Sequence, residues 1–373
     1  MGFDGPRAVP YVSSFVLDGY ATIFTGAVGG AGGFHAIRVD KYAFPYTLSL
    51  MDSDFATGPS ESSPKRAADG TYYICDLSGK VHCYTYVGGT LIHNTSLSLG
   101  HEVRGAIALY DADPRYSGQE VLVATTDGFF FVLDKTLSTV IWSDTSGVGP
   151  LGADNYYEGV TVAERGIGAP AALLPVAGDL AGNFAANSGK VRAIDLYARA
   201  QAWELTPSFT NPGFDAVEGS VAVLAEQASR PGQPGDGSAD GSGTNTVDIS
   251  EGGEEIILPP TDPSSVEKEY HATFASTDGF LYGVDIVTGN EVWSHQMASS
   301  GFDAPVVDDT NVIYVGDGRS IIHAVQGDLS CAGCLLWTDS SLASGGSTDI
   351  VKLGVTNKNT LVIGTGNQAY AVF

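Results

Sequence analysis

A glycine turn followed at a fixed distance by an aromatic ring, Asp-Gly hairpins between β-rich runs, and a scarcity of helical periodicity together predict an all-β fold. The form they predict is a seven-bladed β-propeller of four-stranded antiparallel blades. The spacing comes first. Gly32 leads to Tyr46, Gly79 to His93, Gly128 to Trp142, Gly189 to Trp203 and Gly279 to Trp293, each fourteen residues on. A sixth copy runs from Gly318 to Trp337, nineteen residues, stretched around Cys331-Ala-Gly-Cys334. All four tryptophans of the chain stand at this one position. The reading is that Tyr46, Trp142, Trp203, Trp293 and Trp337 dock between neighbouring blades as core.

The hairpins come next. Residues 120–134 and 271–285 each show two β-rich runs hinged on Asp-Gly. An apolar segment precedes each hairpin and another follows it, which makes four short strands in about 45 residues. The blades fall at about 11–50, 60–98, 101–145, 155–206, 214–297, 300–340 and 345–373, in a single domain. The last copy starts at a turn around Gly366 and has three strands, so residues 6–11 are expected to supply its outer strand and close the ring. An acidic, Gly-rich insertion at 227–267 interrupts blade five.

The segment Gly283 to Trp293, GVDIVTGNEVW, resembles the tryptophan-docking repeat of pyrroloquinoline-quinone-type propellers, roughly Ala-x-Asp-x-x-Thr-Gly-x-x-x-Trp. Ala193 to Trp203 keeps Ala, Asp and Trp but loses Thr-Gly, and Val132 to Trp142 keeps Asp134 and Trp142. The resemblance implies the propeller fold. It does not choose among enzymes, envelope scaffolds and structural proteins, all of which use this repeat.

Composition narrows the function. Forty-three acidic residues against 18 basic ones give a net charge of −25, which argues against neutralising nucleic-acid phosphates or docking onto an anionic membrane. No apolar run is long enough for a transmembrane helix, and no basic-then-apolar leader is read at the N-terminus. Residues 229–269 carry nine acids and two bases, and the rest of the charge is diffuse. A Lys-poor, Asp-rich surface of this kind suits a high-salt, halophilic setting.

The loops divide by face. The insertion at 227–267, residues 111–118, residues 164–180 and the cysteine loop 331–334 are all expected on the face carrying the connections between strands one and two and between three and four. That face is expected to dock protein partners, with a host receptor or glycan as a further candidate. On the opposite face, Asp154, Asp215, Asp303 and Asp349, with Glu102, enter the innermost strands at comparable places. They are either an acidic collar able to hold Ca²⁺ or caps of their own turns. Asp111, Asp113 and Glu120 have roughly the spacing of a calcium loop, although Pro114 stands where Asp or Asn is expected; the alternative is a solvated acidic loop.

Cys75 and Cys83 flank Gly79 symmetrically, which predicts a cross-hairpin disulfide, and Cys331 with Cys334 predicts a second, local one. Two such bridges imply an oxidising, extracellular environment. No hydrolase or nucleotide-binding string occurs, and the adjacent Cys-Cys pair that such quinoprotein dehydrogenases carry is missing. The sequence therefore reads as a non-enzymatic interaction protein without a cofactor. It is expected to be an exposed subunit of a larger surface assembly, in its sharpest form a virion spike or vertex component of a halophilic virus. A cell-envelope scaffold resembling outer-membrane assembly lipoproteins and a quinone- or metal-dependent oxidoreductase are the alternatives.

Overall fold

The computed structural model describes residues 11–12, 20–27, 32–40, 47–110, 119–144, 159–163, 170–176, 189–205, 217, 220–224, 271–299, 304–327, 333–340, 350–355, 361–365 and 369–372. Among them are 27 strands in seven antiparallel sheets, six of four strands and one of three. Blade one holds β1 (Tyr11–Val12), β2 (Tyr20–Gly26), β3 (Phe34–Asp40) and β4 (Thr47–Asp54). Blade two holds β5 (Lys65–Arg66), β6 (Tyr72–Cys75), β7 (Lys80–Val87) and β8 (Thr90–Ser98). Blade three holds β9 (Ala108–Tyr110), β10 (Glu120–Ala124), β11 (Phe130–Asp134) and β12 (Val140–Asp144). Blade four holds β13 (Thr161–Ala163), β14 (Ala171–Val176), β15 (Lys190–Asp195) and β16 (Ala200–Leu205). Blade five holds β17 (Ala222–Val223), β18 (His271–Ala275), β19 (Phe280–Asp285) and β20 (Glu291–Gln296). Blade six holds β21 (Val306–Val307), β22 (Val312–Gly316), β23 (Ile322–Gln326) and β24 (Leu335–Asp339). Blade seven holds β25 (Ile350–Val355), β26 (Leu361–Thr365) and β27 (Ala369–Val372). Tyr11 pairs with Phe24 inside blade one, and residues 6–10 of the expected closing strand lie outside the described residues.

Middle strands such as Glu120–Ala124 and His271–Ala275 are buried at every position. A strand covered on both faces needs a continuous apolar run rather than an alternating one. The core is accordingly not inside any blade but between blades. Phe24, Phe34 and Ala36 of blade one meet Tyr72, Ile74 and Tyr84 of blade two. The same holds for blades two and three, three and four, four and five, five and six, and six and seven.

One register feature repeats. In six blades strand three carries a bulge against strand four, after Ala36, Cys83, Val132, Ala193, Gly283 and Ala324. The extra residue bends the outer strand and sharpens its twist.

The Cys75–Cys83 disulfide is overturned: both are buried free thiols. The hairpin is centred on Ser78, not Gly79, so Cys75 faces Val81 and Cys83 faces Tyr73. The cysteines are diagonal neighbours, about 7–8 Å apart in such a ladder, which is beyond easy bridging. Burial, with Asp76 beside Cys75, pushes both thiols up and keeps them neutral. Iodoacetamide is therefore expected to leave both unmodified in the native protein and to label both after unfolding, read by intact mass. Cys334 is disulfide-bonded, while Cys331 lies outside the described residues.

Candidate functional site

The tryptophans work at the seams. Trp142, Trp203, Trp293 and Trp337 each stand opposite the residue that precedes a bulge: Val132, Ala193, Gly283 and Ala324. From there the rings of Trp142, Trp203 and Trp293 reach toward the next blade. The Trp203 indole donates to the Ile286 carbonyl of blade five at 2.7 Å. Its ring lies on Gly289, where an added Cβ would come within 2.6 Å of it. Trp293 is buried among Ile313, Val315 and Val325 of blade six and touches Gly333 between the two cysteines. Trp142 packs on Phe130 at 6.1 Å and joins the cluster that holds Ile194 and Leu196 of blade four.

Blades one and two reach the same end by other chemistry. In blade two the register partner of Cys83 is Thr95, and the joint is made by Tyr73, whose hydroxyl donates to the Lys135 carbonyl at 2.7 Å. Lys135 follows Asp134 as Ile286 follows Asp285, so the acceptor is the same carbonyl of the next blade. In blade one the register place belongs to Asp52, opposite Ala36. Its carboxylate accepts from the Leu91 N–H of blade two at 2.7 Å. Tyr46 precedes strand β4 and lies outside the described residues. The joint thus runs from indole to phenol to carboxylate, and at Asp52 the direction of donation is reversed. Spacing alone hides this, because the outer connection of blade one, residues 41–46, is longer than those of blades two to five.

The sixth joint differs again. Trp337 is 40% exposed after Leu335 and Leu336, at 48% and 49%, with its ring near Tyr314 of the same blade. The neighbouring blade seven has three strands among the described residues.

The decorated face can now be placed on strand ends. Residues 111–118 join β9 to β10, 227–267 lie between β17 and β18, and 331–334 lie between β23 and β24. The strand ends that bound all three lie on one side of their blades, while 111–118, 227–267 and 331–332 themselves lie outside the described residues. The segment 164–180 is split: 164–169 join β13 to β14 on that face, but 171–176 are strand β14 and 177–180 begin the connection to β15 on the other. Asp111 and Asp113 lie outside the described residues. Glu120 is described, and it is nearly fully buried against the Arg199 guanidinium of blade four at 2.5 Å. A carboxylate facing a guanidinium is a poor ligand for a divalent cation. Arg199 itself takes a left-handed φ of 54° at the turn position where Gly289 has 74°. The pair with Glu120 therefore anchors a non-glycine residue where the repeat prefers glycine.

On the opposite face, Asp154, Asp215, Asp303 and Asp349 lie outside the described residues. The described blade-to-blade loops carry a base beside their acids. Arg104 bonds Glu102 at 2.6 Å and Glu61 at 3.2 Å, tying two blade-to-blade loops together. Among the described residues, no group of three His, Cys, Asp or Glu is placed to hold a metal ion. No described helix is long and apolar enough to cross a membrane.

Comparison with known proteins bears on the fold. No family model matches the chain, and no curated protein matches it. Among solved structures, the WD40 β-propeller domain of Doa1 is similar with a TM-score of 0.54 at 8% identity, covering 95% of this chain and 88% of that one. BamB from Moraxella catarrhalis is similar with a TM-score of 0.56 at 16% identity, covering 98% and 85%. Both likenesses support a β-propeller.

Proposed function

We propose that this chain is a non-enzymatic propeller that docks other protein subunits through one face, as an exposed part of a larger surface assembly in a high-salt environment. The observation that supports the reading is the strand order: the strand ends that bound 111–118, 164–169, 227–267 and 331–334 all lie on one side of the blades. Rigid sheets position the loops, and loops tolerate the variation that partner recognition needs. The charge of −25 supports a surface that stays hydrated in molar salt and shuns polyanions. The sharpest form is a virion spike or vertex component of a halophilic virus, meeting coat partners and a host receptor or glycan. A cell-envelope scaffold built on the same fold is the second reading.

Sedimentation of native material in molar KCl, with this chain followed by mass spectrometry, is the test. Co-migration with a particle far heavier than the 38.7 kDa chain is the expected result. A free species of the chain's own mass ends the assembly reading. Migration with envelope membranes rather than particles selects the second one.

A further inference from the structure

One seam holds a pair of imidazoles that the docking reading does not use. His82 on β7 and His93 on β8 both lie on the face of blade two that meets blade one. The register fixes this. Tyr84, whose ring is 4.9 Å from that of Phe34 in blade one, stands opposite His93, and His82 lies two residues before it on the same strand. The bulge after Cys83 leaves Asn94 without a register partner, and its side chain bonds the Cys83 thiol. His93 is thereby brought to His82, with the His82 Nδ1 3.3 Å from the His93 Nε2.

That separation is longer than about 2.7–3.2 Å, the usual range for an N–H donor to oxygen. It matches the gap between two imidazole ligands at the tetrahedral angle around one ion, about 3.3–3.4 Å for metal–nitrogen bonds of about 2.0–2.1 Å. The surroundings are those of a liganding imidazole. The other nitrogen of His82, Nε2, is 3.1 Å from Asp76 Oδ2, with both side chains nearly fully buried. An ionised Asp76 fixes the proton on Nε2 and leaves Nδ1 as a lone pair, the arrangement that orients metal-bound histidines. Although burial opposes its charge, bonds from His82, Ser78 and the Lys80 N–H hold Asp76 well below the ordinary carboxylate range. His93 is half-buried, which leaves an entry path from solvent. Asp54 of blade one stands nearby, and its charge acts on His93. The Asp54 Oδ1 accepts from the Ala56 N–H at 2.7 Å and from the Tyr84 hydroxyl at 3.3 Å. Both bonds fall on Oδ1, which leaves Oδ2 able to take a cation. No third ligand is in place among the described residues, so a turn of the Asp54 side chain completes the set.

We propose that His82 Nδ1 and His93 Nε2 seat a divalent transition-metal ion of the zinc class, which Asp54 reaches from blade one, so that the ion clasps the seam between blades one and two. The donor set selects the ion: imidazole nitrogen suits Zn²⁺, Ni²⁺ or Cu²⁺, while Ca²⁺ and Mg²⁺ take oxygen ligands. Asp54 and Asp76 together balance its two charges. The clasp lies at the joint where blade one docks through Asp52 rather than an indole. Blade six repeats the first pair, with His323 Nε2 3.3 Å from Asp317 Oδ2. There the neighbouring ring, His295, comes from blade five, and the His323 Nδ1 and His295 Nε2 do not bond. One ion per chain is therefore expected.

The test is calorimetric titration of the full chain, stripped with EDTA, with ZnCl₂ at constant salt, followed by the urea midpoint with and without saturating Zn²⁺. The expected result is one saturable site per chain and a midpoint raised by zinc. His93→Gln is expected to abolish both. Asp76→Asn is expected to weaken binding about 10–100-fold, as loss of a group that orients a ligand does. Asp54→Asn is expected to weaken it at least as much, and His295→Gln to leave it unchanged. His93 and Asp54 are partly exposed, so their variants are expected to fold, which the metal-free urea transition checks. No saturable binding by wild type overturns the proposal. So does binding that survives unchanged in His93→Gln or Asp54→Asn, or that is lost in His295→Gln.

Discussion

Replacing Trp203 with alanine is expected to lower the free energy of unfolding by about 3 kcal/mol, near the lower end of the range for removing a large core aromatic. The ring spans the seam between blades four and five, packed against a cluster that holds Phe274, Tyr282 and Ile286, and its indole N–H satisfies the Ile286 carbonyl. Trp203→Phe keeps much of the packing and removes only that hydrogen bond, so it is expected to cost about 1 kcal/mol. Chemical denaturation in molar KCl separates the two. A Trp203→Ala cost below that of Trp203→Phe would show that the ring does not carry the seam.

The second large effect is at Arg199. Arg199→Met is expected to cost about 3–5 kcal/mol, because it removes the guanidinium that faces a buried carboxylate. Glu120 and Arg199 have side-chain exposures of 2% and 10%, so solvent screens the pair little. The double change Glu120→Leu with Arg199→Met is expected to recover most of the loss, since an apolar pair of similar volume avoids the stranded charge. Thermal or urea unfolding of the three variants forms the cycle. If Glu120 were instead a cation ligand, wild type would gain stability on adding millimolar Ca²⁺, and the paired reading predicts no such gain.

Legibility in the sequence followed loop length. The fourteen-residue rule finds Trp142, Trp203 and Trp293 because the turn between strands three and four is short and uniform in blades three to five. Hairpin signals at Asp127-Gly128 and Asp278-Gly279 fall where the chain turns, each glycine with φ near 90°. In blades one and two the same rule points at Tyr46 and His93, while the register places Asp52 and Thr95 there. A periodicity search weighs aromatic rings, and nothing in it could have found a carboxylate that docks by accepting a backbone N–H. Tyr73 was equally hidden, since it sits on strand two and reads as ordinary core. The cysteine error is of the same kind. Symmetry about Gly79 is not symmetry about the turn, which centres on Ser78, and a hairpin centre displaced by one residue moves the partners two apart. The one-sided loops were legible because strand order alone assigns a connection to a face. Residues 164–180 failed because strand β14 lies inside them.

The unlike joints bear on how a ring of near-identical modules avoids mispairing. Repeats that share one docking chemistry can join in the wrong order or with a module of another molecule, a known hazard of tandem folds. Here the carboxylate of Asp52 suits a free N–H, the phenol of Tyr73 and the indole of Trp203 suit a carbonyl, and Trp293 suits a glycine held between cysteines. A blade that offers a carbonyl would leave two acceptors facing each other if it were placed beside Asp52, and a blade that offers a free N–H would leave two donors facing each other beside Tyr73 or Trp203. The reversed joint at Asp52 therefore acts as an address that sets the pairing of blades one and two apart from the others.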